Sequence, residues 1–322
     1  MKKMIKKTIT LIMIMMLVLS LTSCRSGEAV NESTEKASKV VMTYVPAPFN
    51  VPSIVDQKLG FYTDAFGKAG IETGYSEISA AKDQRAALAS GDIQILNGIS
   101  DIVVLLDAAN GGDVTILSMY SRAPESFAIF SNDENINSPA DLKGLTIAGP
   151  KGSPLHQLLS AYLASGGLTL ADVDFVDMTM PLSVSALAGG SVDAALVTGA
   201  AAMNLEKAGK HKITDGEGYI SGCILTAASG EFAENNPETI EAFLTTQKEI
   251  VRYVGENKDA SMDMASEALD TEKSSCEELY EIYDFDPEIT AEDIEMMKKT
   301  EEFLFNSGMI ENHVDVESMI YR

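Results

Sequence analysis

Residues 145–167 read LTIAGPKGSPLHQLLSAYLASGG, the clearest local structural signal in the sequence. The apolar start at 145–148 predicts a strand, and the glycine and proline residues after it predict a loop. Ser153 is a favoured helix N-cap, and Pro154 suits the first helical position. Leucines and Tyr162 then recur at helical spacing until a Gly-Gly pair ends the run. The stretch therefore predicts a strand, a loop and a helix, the repeating unit of an α/β fold.

Strand-like and helix-like segments alternate through most of the chain. Short β-branched and apolar runs predict the strands, and helical spacing of apolar residues predicts the segments between them. From Pro237 onward the pattern is almost entirely helical. This order predicts an α/β fold whose sheets are mostly parallel and flanked by helices. The predicted strands are 40–45, 71–78, 93–96, 115–119, 127–131, 145–148, 212–214 and 223–228.

A short sequence occurs twice and predicts two lobes of one design. Residues 87–93 read ALASGDI and residues 186–192 read ALAGGSV. Each copy predicts a helix end, a glycine turn and a buried strand. We expect two chain crossings between the lobes, near 126–131 and 221–226, which permits hinge closure over a ligand. The expected divisions are 40–128 for the first part of lobe 1, 129–222 for lobe 2, and 223–322 for the return to lobe 1 with C-terminal helices.

The N-terminus predicts export. Residues 1–23 contain four lysines, an apolar run and small residues at the end, the pattern of a signal peptide. The tetrapeptide Leu21-Thr22-Ser23-Cys24 resembles a bacterial lipobox, so we expect Cys24 to carry a lipid; the alternative is an ordinary secretory signal. Residues 24–39 are polar and small and predict a flexible tether. The protein is then extracytoplasmic and held at the cell membrane.

Charge and composition exclude several classes of function. The net charge of −24 disfavours nucleic acid, and an anionic ligand would need local donors. Cys223 and Cys276 are expected to be separately buried thiols. The three histidines are not spaced as metal ligands, and the sequence has neither a phosphate-binding glycine loop nor a nucleophile elbow. We therefore expect no metal, no cofactor and no enzyme activity.

The loops after the strands are the expected binding site, because ligands of open α/β sheets lie beyond the carboxyl ends of the strands. Lys151, Gly152 and Ser153 combine a cation, a flexible backbone and a hydroxyl at a helix N-terminus, which favours an anion. The alternative is that Ser153 only caps its helix. After Pro181, Ser183 is expected to cap a second helix in the same way.

Other candidate residues follow neighbouring strands. Asn97, Ser100 and Thr198 have short hydrogen-bonding side chains suited to a small polar ligand. Tyr44 and Phe49 form an apolar wall or simply pack in the core. Two further candidates have open alternatives: Arg122 pairs with a ligand anion or lies at the surface or hinge, and His156 faces the cleft or the surface.

The chain resembles solute-binding proteins of the nitrate/sulfonate/taurine and thiamine-precursor (pyrimidine) type. The resemblance is carried by DLKGLTIA at 141–148 with Lys151-Gly152-Ser153 after it, and by segments 87–93, 163–173, 186–194 and 231–238. It implies a two-lobed type II periplasmic-binding fold that closes over one small molecule and delivers it, as a monomer, to an ABC permease. It also implies ligand contacts from loops 44–49, 97–100, 151–153 and 181–183 and from Thr198.

One departure from the family and one alternative function remain. Many relatives have an aromatic or acidic residue followed by proline where this chain has Thr198-Gly199-Ala200, so a small, uncharged pocket floor is expected. The two hypotheses are a lipid-anchored receptor for a small organic anion or heterocycle, and a biosynthetic enzyme of the thiamine-pyrimidine or menaquinone type on the same scaffold. The export signal favours the receptor. Within that hypothesis, Ser153→Ala is expected to weaken ligand binding more than folding.

Overall fold

The computed structural model describes residues 37–44, 49–78 and 80–322. The predicted signal peptide, Cys24, most of the tether and residues 45–48 of the first candidate loop lie outside the described residues. The ten strands of the described part are β1 Lys39–Thr43, β2 Glu72–Ser76, β3 Ile95–Ser100, β4 Thr115–Arg122, β5 Phe127–Ser131, β6 Thr146–Gly149, β7 Asp174–Asp177, β8 Ala194–Thr198, β9 His211–Asp215 and β10 Cys223–Ala228.

Twelve α-helices accompany these strands in the same described ranges. Their bounds are α1 Val51–Leu59, α2 Phe61–Lys68, α3 Ala81–Ser90, α4 Asp101–Ala109, α5 Pro154–Ser165, α6 Met180–Ala188, α7 Ala200–Lys207, α8 Gly230–Asn235, α9 Pro237–Glu256, α10 Lys258–Leu269, α11 Lys273–Tyr280 and α12 Ala291–Asn306. None of these helices has the length and apolar composition needed to cross a membrane.

The strands form two five-stranded sheets of the same topology. The order is β2-β1-β3-β10-β4 in lobe 1 and β7-β6-β8-β5-β9 in lobe 2. In each sheet the first three strands are parallel, and the strand that arrives from the other lobe pairs antiparallel with both of its neighbours. Four of the five strands in each sheet therefore run in the same direction, as predicted, and the strand that enters from the opposite lobe runs the other way, which makes each sheet mixed.

The repeated sequence occupies matching positions in the two sheets. Its first copy ends α3 and leads into β3, and its second copy ends α6 and leads into β8. Both strands hold the third place in their sheet order. The prediction of two lobes of one design is confirmed by this correspondence.

The chain crosses between the sheets in two short segments. Residues 123–126 join β4 to β5, and residues 216–222 join β9 to β10. Both segments lie at or next to the predicted crossings. The predicted limit between residues 222 and 223 falls at the start of β10, whereas the limit between 128 and 129 falls inside β5.

Each sheet is covered by apolar side chains on both faces. Alternating residues of β6 illustrate this, since Ile147 packs with Leu158 on one face and Ala148 packs with Leu187 on the other. In lobe 1 the two free cysteines are buried on opposite faces, Cys276 in one cluster and Cys223 in the other. The prediction of two separately buried thiols is confirmed.

Gly149→Ala is expected to destabilise lobe 2 by about 2 kcal/mol, because overpacking a tight core forces neighbouring atoms to move. A Cβ at Gly149, the last residue of β6, would lie 2.5 Å from Cδ1 and 2.7 Å from Cβ of Leu196. Leu196 is fully buried in the adjacent strand and has no free space to yield. Urea unfolding followed by circular dichroism measures the change.

Gly255→Ala is the matched control for this prediction. Gly255 lies in α9, and a Cβ there would meet no atom within 4 Å. Alanine has the higher helix propensity, so this variant is expected to be at least as stable as the parent. Equal stability of the two variants would contradict the packing argument.

Candidate functional site

Four polar side chains meet under the carboxyl ends of β1, β3 and β4. This strand-end cluster consists of Thr43, Ser53, Asn97 and Tyr120, all at most 5% exposed. The backbone N–H of Asn97 donates to Thr43 Oγ1 at 2.7 Å, and Asn97 Nδ2 donates to Ser53 Oγ at 3.4 Å. Ser53 Oγ in turn hydrogen-bonds the Tyr120 hydroxyl at 2.8 Å. Sequence reasoning identified only Asn97, because it predicted a strand that ends at residue 96 and a loop that begins at Asn97. In the structure all four residues lie within a strand or a helix.

The strand-end cluster has two features of a ligand site. The pairing of β3 with β10 shifts register at Gly98, whose φ is +99°, and the pairing of β4 with β10 skips Tyr120. Such bulges often lie beside functional sites because they redirect side chains. The second feature is the buried Oδ1 atom of Asn97, which has no hydrogen-bond partner among the described residues. A buried acceptor without a partner is costly, so a donor from outside the protein would satisfy it.

Aromatic rings pack beside the strand-end cluster. Phe49 is fully buried and lies 5.3 Å from the ring of Tyr283 and 6.5 Å from that of Phe285. Tyr120 contacts Phe285 edge to face at 6.4 Å. Phe49 therefore belongs to the core wall, while Tyr44 is half-buried, and burial raises the pKa of its hydroxyl.

Thr198 lies beyond these rings, at the end of β8. Its hydroxyl is 3.3 Å from Ser126 Oγ, in the first crossing segment. Ser126 also hydrogen-bonds the Tyr283 hydroxyl, and this bond opposes the rise that burial gives to the tyrosine pKa. The floor contributed by lobe 2 is thus small and uncharged at this position.

The loop before α5 has fewer free donors than its sequence indicates. The N–H of Lys151 donates to Asp177 Oδ1 at 2.9 Å, and the N–H of Gly152 donates to His156 Nδ1 at 3.2 Å. Ser153 caps the helix: its hydroxyl accepts from the His156 N–H and donates to the Pro150 carbonyl. Two of the N–H groups expected for an anion are therefore already bonded to protein side chains, one in β7 and one in α5. The effect of Ser153 on ligand binding stays a prediction.

His156 lies at the junction of the lobes and is only 3% exposed. Its ring stacks on Phe175 of lobe 2 at 4.8 Å and meets Phe303 of α12 edge-on at 5.6 Å. Burial, assisted by Lys151 and opposed by Asp177, lowers the pKa of the imidazole. His156 is therefore neutral near pH 7. Because Nδ1 accepts from Gly152, the ring hydrogen is on Nε2.

A cavity of about 710 Å³ lies beside His156, between α5 and α12. Its size is within the range of small-molecule sites. Both lobes contribute to its wall, and Lys151 and His156 are the two sequence-predicted residues among those that line it.

A hydrogen-bond chain connects the lobes next to this cavity. Gln157 Nε2 of α5 donates to Thr300 Oγ1 of α12 at 3.0 Å, and Thr300 Oγ1 lies 2.9 Å from Asp101 Oδ2 of α4. Ser100 and Ser221 also donate to the Asp101 carboxyl, at 3.2 and 3.4 Å. Burial raises the pKa of Asp101, although these hydrogen bonds oppose the shift. The Ser100 hydroxyl therefore already donates within the protein, to the Asp101 carboxyl.

Arg122 is held by acidic residues of lobe 1. Its Nε and Nη2 donate to the Asp293 carboxylate, both at 2.6 Å, and its Nη1 donates to Asp284 at 3.2 Å. The carbonyls of Asp286 and Glu288 accept the remaining donors at 2.8 and 2.5 Å. The guanidinium joins residues 284–293 to the end of β4. Because its donors are bonded within lobe 1, Arg122 is not part of the proposed ligand site.

The expected cap at Ser183 is wrong. The helix α6 begins at Met180, with Thr179 as its N-cap residue and Pro181 in the first turn, where its fixed φ favours helix initiation. Ser183 is inside the helix, fully buried, and its hydroxyl donates to the Thr179 carbonyl at 3.2 Å. Pro181 itself is exposed.

Comparison with known proteins agrees with the architecture. A family model described as NMT1/THI5 like matches residues 48–261. A Bacillus subtilis (strain 168) protein, named as a candidate aliphatic sulfonates-binding protein, is 24% identical over 275 residues, or 84% of this chain and 82% of the relative. The taurine-binding periplasmic protein of Escherichia coli (strain K12) is 35% identical over 162 residues, or 49% of each chain.

The fold has a close counterpart among solved structures. The periplasmic aliphatic sulphonate binding protein of Escherichia coli superposes with a TM-score of 0.80 at 19% identity, over 89% of this chain and 93% of that one. The two-lobed fold expected from the resemblance is thereby confirmed.

Proposed function

We propose that this chain, which belongs to the NMT1/THI5-like family, is the solute-binding component of an ABC importer. It would bind a small organic solute of the sulfonate, taurine or nitrate kind, or a small heterocycle, between its lobes and deliver it to a membrane permease. The relatives described above are named for binding sulfonates or taurine, and one is named as periplasmic. Two lobes joined by two short crossings suit closure around such a ligand.

The observation that carries this proposal is the buried Asn97 Oδ1, which has no partner in the part of the chain that the structure describes. An amide oxygen accepts a hydrogen bond and therefore suits a ligand that carries an N–H group. Taurine has an ammonium group and an aminopyrimidine carries N–H donors, whereas an unsubstituted alkanesulfonate or nitrate has none. Within the expected classes, the strand-end cluster thus favours a nitrogen-bearing solute.

Asn97→Ala is expected to weaken taurine binding by roughly tenfold, because a hydrogen bond to a charged group contributes about 1.5–3 kcal/mol. Ethanesulfonate, which lacks the ammonium group, is expected to lose much less affinity. Calorimetric titration of both ligands gives the ratio of their dissociation constants, and this ratio does not depend on any loss of stability. Gly255→Ala serves as the unaffected control.

Two results would contradict the proposal. A parent protein that binds none of taurine, alkanesulfonates, nitrate and pyrimidines would remove the receptor function. If the ratio of the taurine and ethanesulfonate dissociation constants is the same in Asn97→Ala as in the parent, Asn97 does not contact the ligand. The receptor function would then require a different binding site.

We also propose that the protein acts outside the cytoplasmic membrane as a lipid-anchored monomer. The support is the N-terminal sequence, in which four lysines and an apolar run precede Cys24. Mass spectrometry of the mature protein is expected to find a diacylated Cys24 as its first residue, and Cys24→Ser is expected to release the protein from membranes. An unprocessed N-terminus in the cytosol would contradict both statements.

A binding role without catalysis completes the proposal. The relatives reported above are named as binding proteins. Within residues 37–44, 49–78 and 80–322, no cluster of three or more His, Cys, Asp or Glu side chains could hold a metal ion. Recovery of chemically unchanged solute after incubation with the protein, followed by mass spectrometry, tests this point, and a converted product would favour the enzyme alternative.

A further inference from the structure

We propose that the cavity between α5 and α12 is a second binding site, which takes a small aromatic anion with one carboxylate or sulfonate group. This inference is independent of the solute site at the strand-end cluster. The cavity has a volume of about 710 Å³, enough for a substituted benzene ring with its first hydration partners.

The charge of the cavity wall favours an anion. Lys151 of lobe 2 and Lys299 of lobe 1 both line it, and neither forms an ion pair with a described residue. No Asp or Glu is among the described residues that line the cavity, although the chain contains 48 of these residues. The Asp177 carboxylate accepts a hydrogen bond from the Lys151 N–H. A local excess of cations in a chain of net charge −24 selects for negative ligands.

His156 supplies a hydrogen-bond donor at the wall of this cavity. The residue lines the cavity, is 3% exposed, and is neutral because burial lowers the pKa of its imidazole. Its Nδ1 accepts from the Gly152 N–H, so the ring hydrogen is on Nε2. A carboxylate or sulfonate oxygen is a suitable acceptor for this N–H.

The shape of the cavity favours a ring. Phe175, Phe303 and Tyr219 supply aromatic surface, and His156 stacks on Phe175 with an interplanar angle of 18°. On the α5 side the wall is built from small residues, Ser160, Ala161 and Ala164, which leave room for a planar group. Offset stacking and edge contacts with aromatic side chains stabilise a bound aromatic ring.

Benzenesulfonate is the probe for this site, titrated calorimetrically into the full mature protein. The parent is expected to bind it saturably. Lys299→Glu replaces an attraction by a repulsion and is expected to weaken binding roughly tenfold. Lys248→Glu, on the exposed face of α9, makes the same charge change away from the cavity and is expected to bind like the parent.

A second variant tests the location of the benzenesulfonate site by reducing the cavity volume rather than by changing the charge of its wall. Ala161→Phe would fill the cavity and is expected to abolish benzenesulfonate binding while taurine binding persists. Asn97→Ala is expected to show the opposite pattern, so failure of the cavity site and failure of the solute site are distinguishable.

Three outcomes would overturn the inference. They are the absence of saturable benzenesulfonate binding to the parent, equal affinity in the parent and Lys299→Glu, and a loss in Asn97→Ala as large as in Lys299→Glu. The last result would place the aromatic anion in the strand-end cluster.

Discussion

Arg122→Ala is expected to lower the free energy of unfolding by about 3 kcal/mol, because it leaves a partly buried carboxylate without its cationic partner. The Arg122 side chain is 16% exposed and that of Asp293 is 6% exposed, and two hydrogen bonds of 2.6 Å join them. Removal of the guanidinium leaves the Asp293 carboxylate partly buried with only Thr290 as a partner. It also frees the carbonyls of Asp286 and Glu288. Urea unfolding at pH 7 measures the loss.

The pH dependence of this loss has a defined sign. Burial alone would raise the pKa of Asp293, but hydrogen bonds from Arg122 and Thr290 outweigh it and hold the pKa below its usual value. A carboxyl with a lowered folded-state pKa contributes stability above its unfolded pKa of about 4 and loses that contribution as the pH falls through the folded value. The difference between parent and Arg122→Ala is therefore expected to be full at pH 7 and to shrink below pH 4.

Arg85→Ala is the matched control for Arg122→Ala. Arg85 has a single carboxylate partner, Asp107, at 3.4 Å, and its side chain is 34% exposed. A pair of this kind is expected to contribute at most about 1 kcal/mol. Equal losses in the two variants, or a loss in Arg122→Ala that does not change with pH, would contradict the role assigned to Asp293.

The sequence predicted the strands and helices well, because each depends on the residues within it and at its ends. The strands predicted at 127–131 and 223–228 coincide with β5 and β10, and the Ser-Pro start of α5 is confirmed by the Ser153 cap. The antiparallel insertion of these two strands was not predictable in the same way. The direction of each of these strands depends on which lobe it joins, and the residue pattern within a strand does not indicate the lobe.

The site was less predictable because its contacts join distant residues. Gln157 and Thr300 are 143 positions apart, and Arg122 and Asp293 are 171 apart. A polar residue among the leucines of α5, as Gln157 is, was the available signal that a hydrogen-bond partner exists. The sequence does not identify that partner, because the packing of helices between the lobes determines which residue lies opposite. The sequence likewise does not indicate that the Asp177 carboxylate accepts a hydrogen bond from the Lys151 N–H.

Thr300→Val is expected to destabilise the observed arrangement of the lobes by about 3 kcal/mol, because it removes the acceptor that Gln157 Nε2 uses and one of the donors to the buried Asp101 carboxyl. Thr300 Oγ1 accepts from Gln157 of lobe 2 and bonds to Asp101 of lobe 1, and all three side chains are at most 5% exposed. Valine keeps the shape but supplies neither the acceptor nor the donor. Because one of the bonds joins the lobes, part of the loss is expected to appear as lobe opening, measurable as a larger radius of gyration by small-angle X-ray scattering.

Thr246→Val separates this effect from a general cost of replacing a buried threonine. Thr246 is 3% exposed, and its hydroxyl donates to the Ala242 carbonyl within α9 at 2.7 Å, with no contact across the lobes. Its radius of gyration is expected to match that of the parent. A double-mutant cycle with Gln157→Leu completes the argument, since removal of Gln157 is expected to cost little once Thr300 is valine. Additive losses, or equal scattering of both threonine variants, would show that this hydrogen-bond chain does not hold the lobes together.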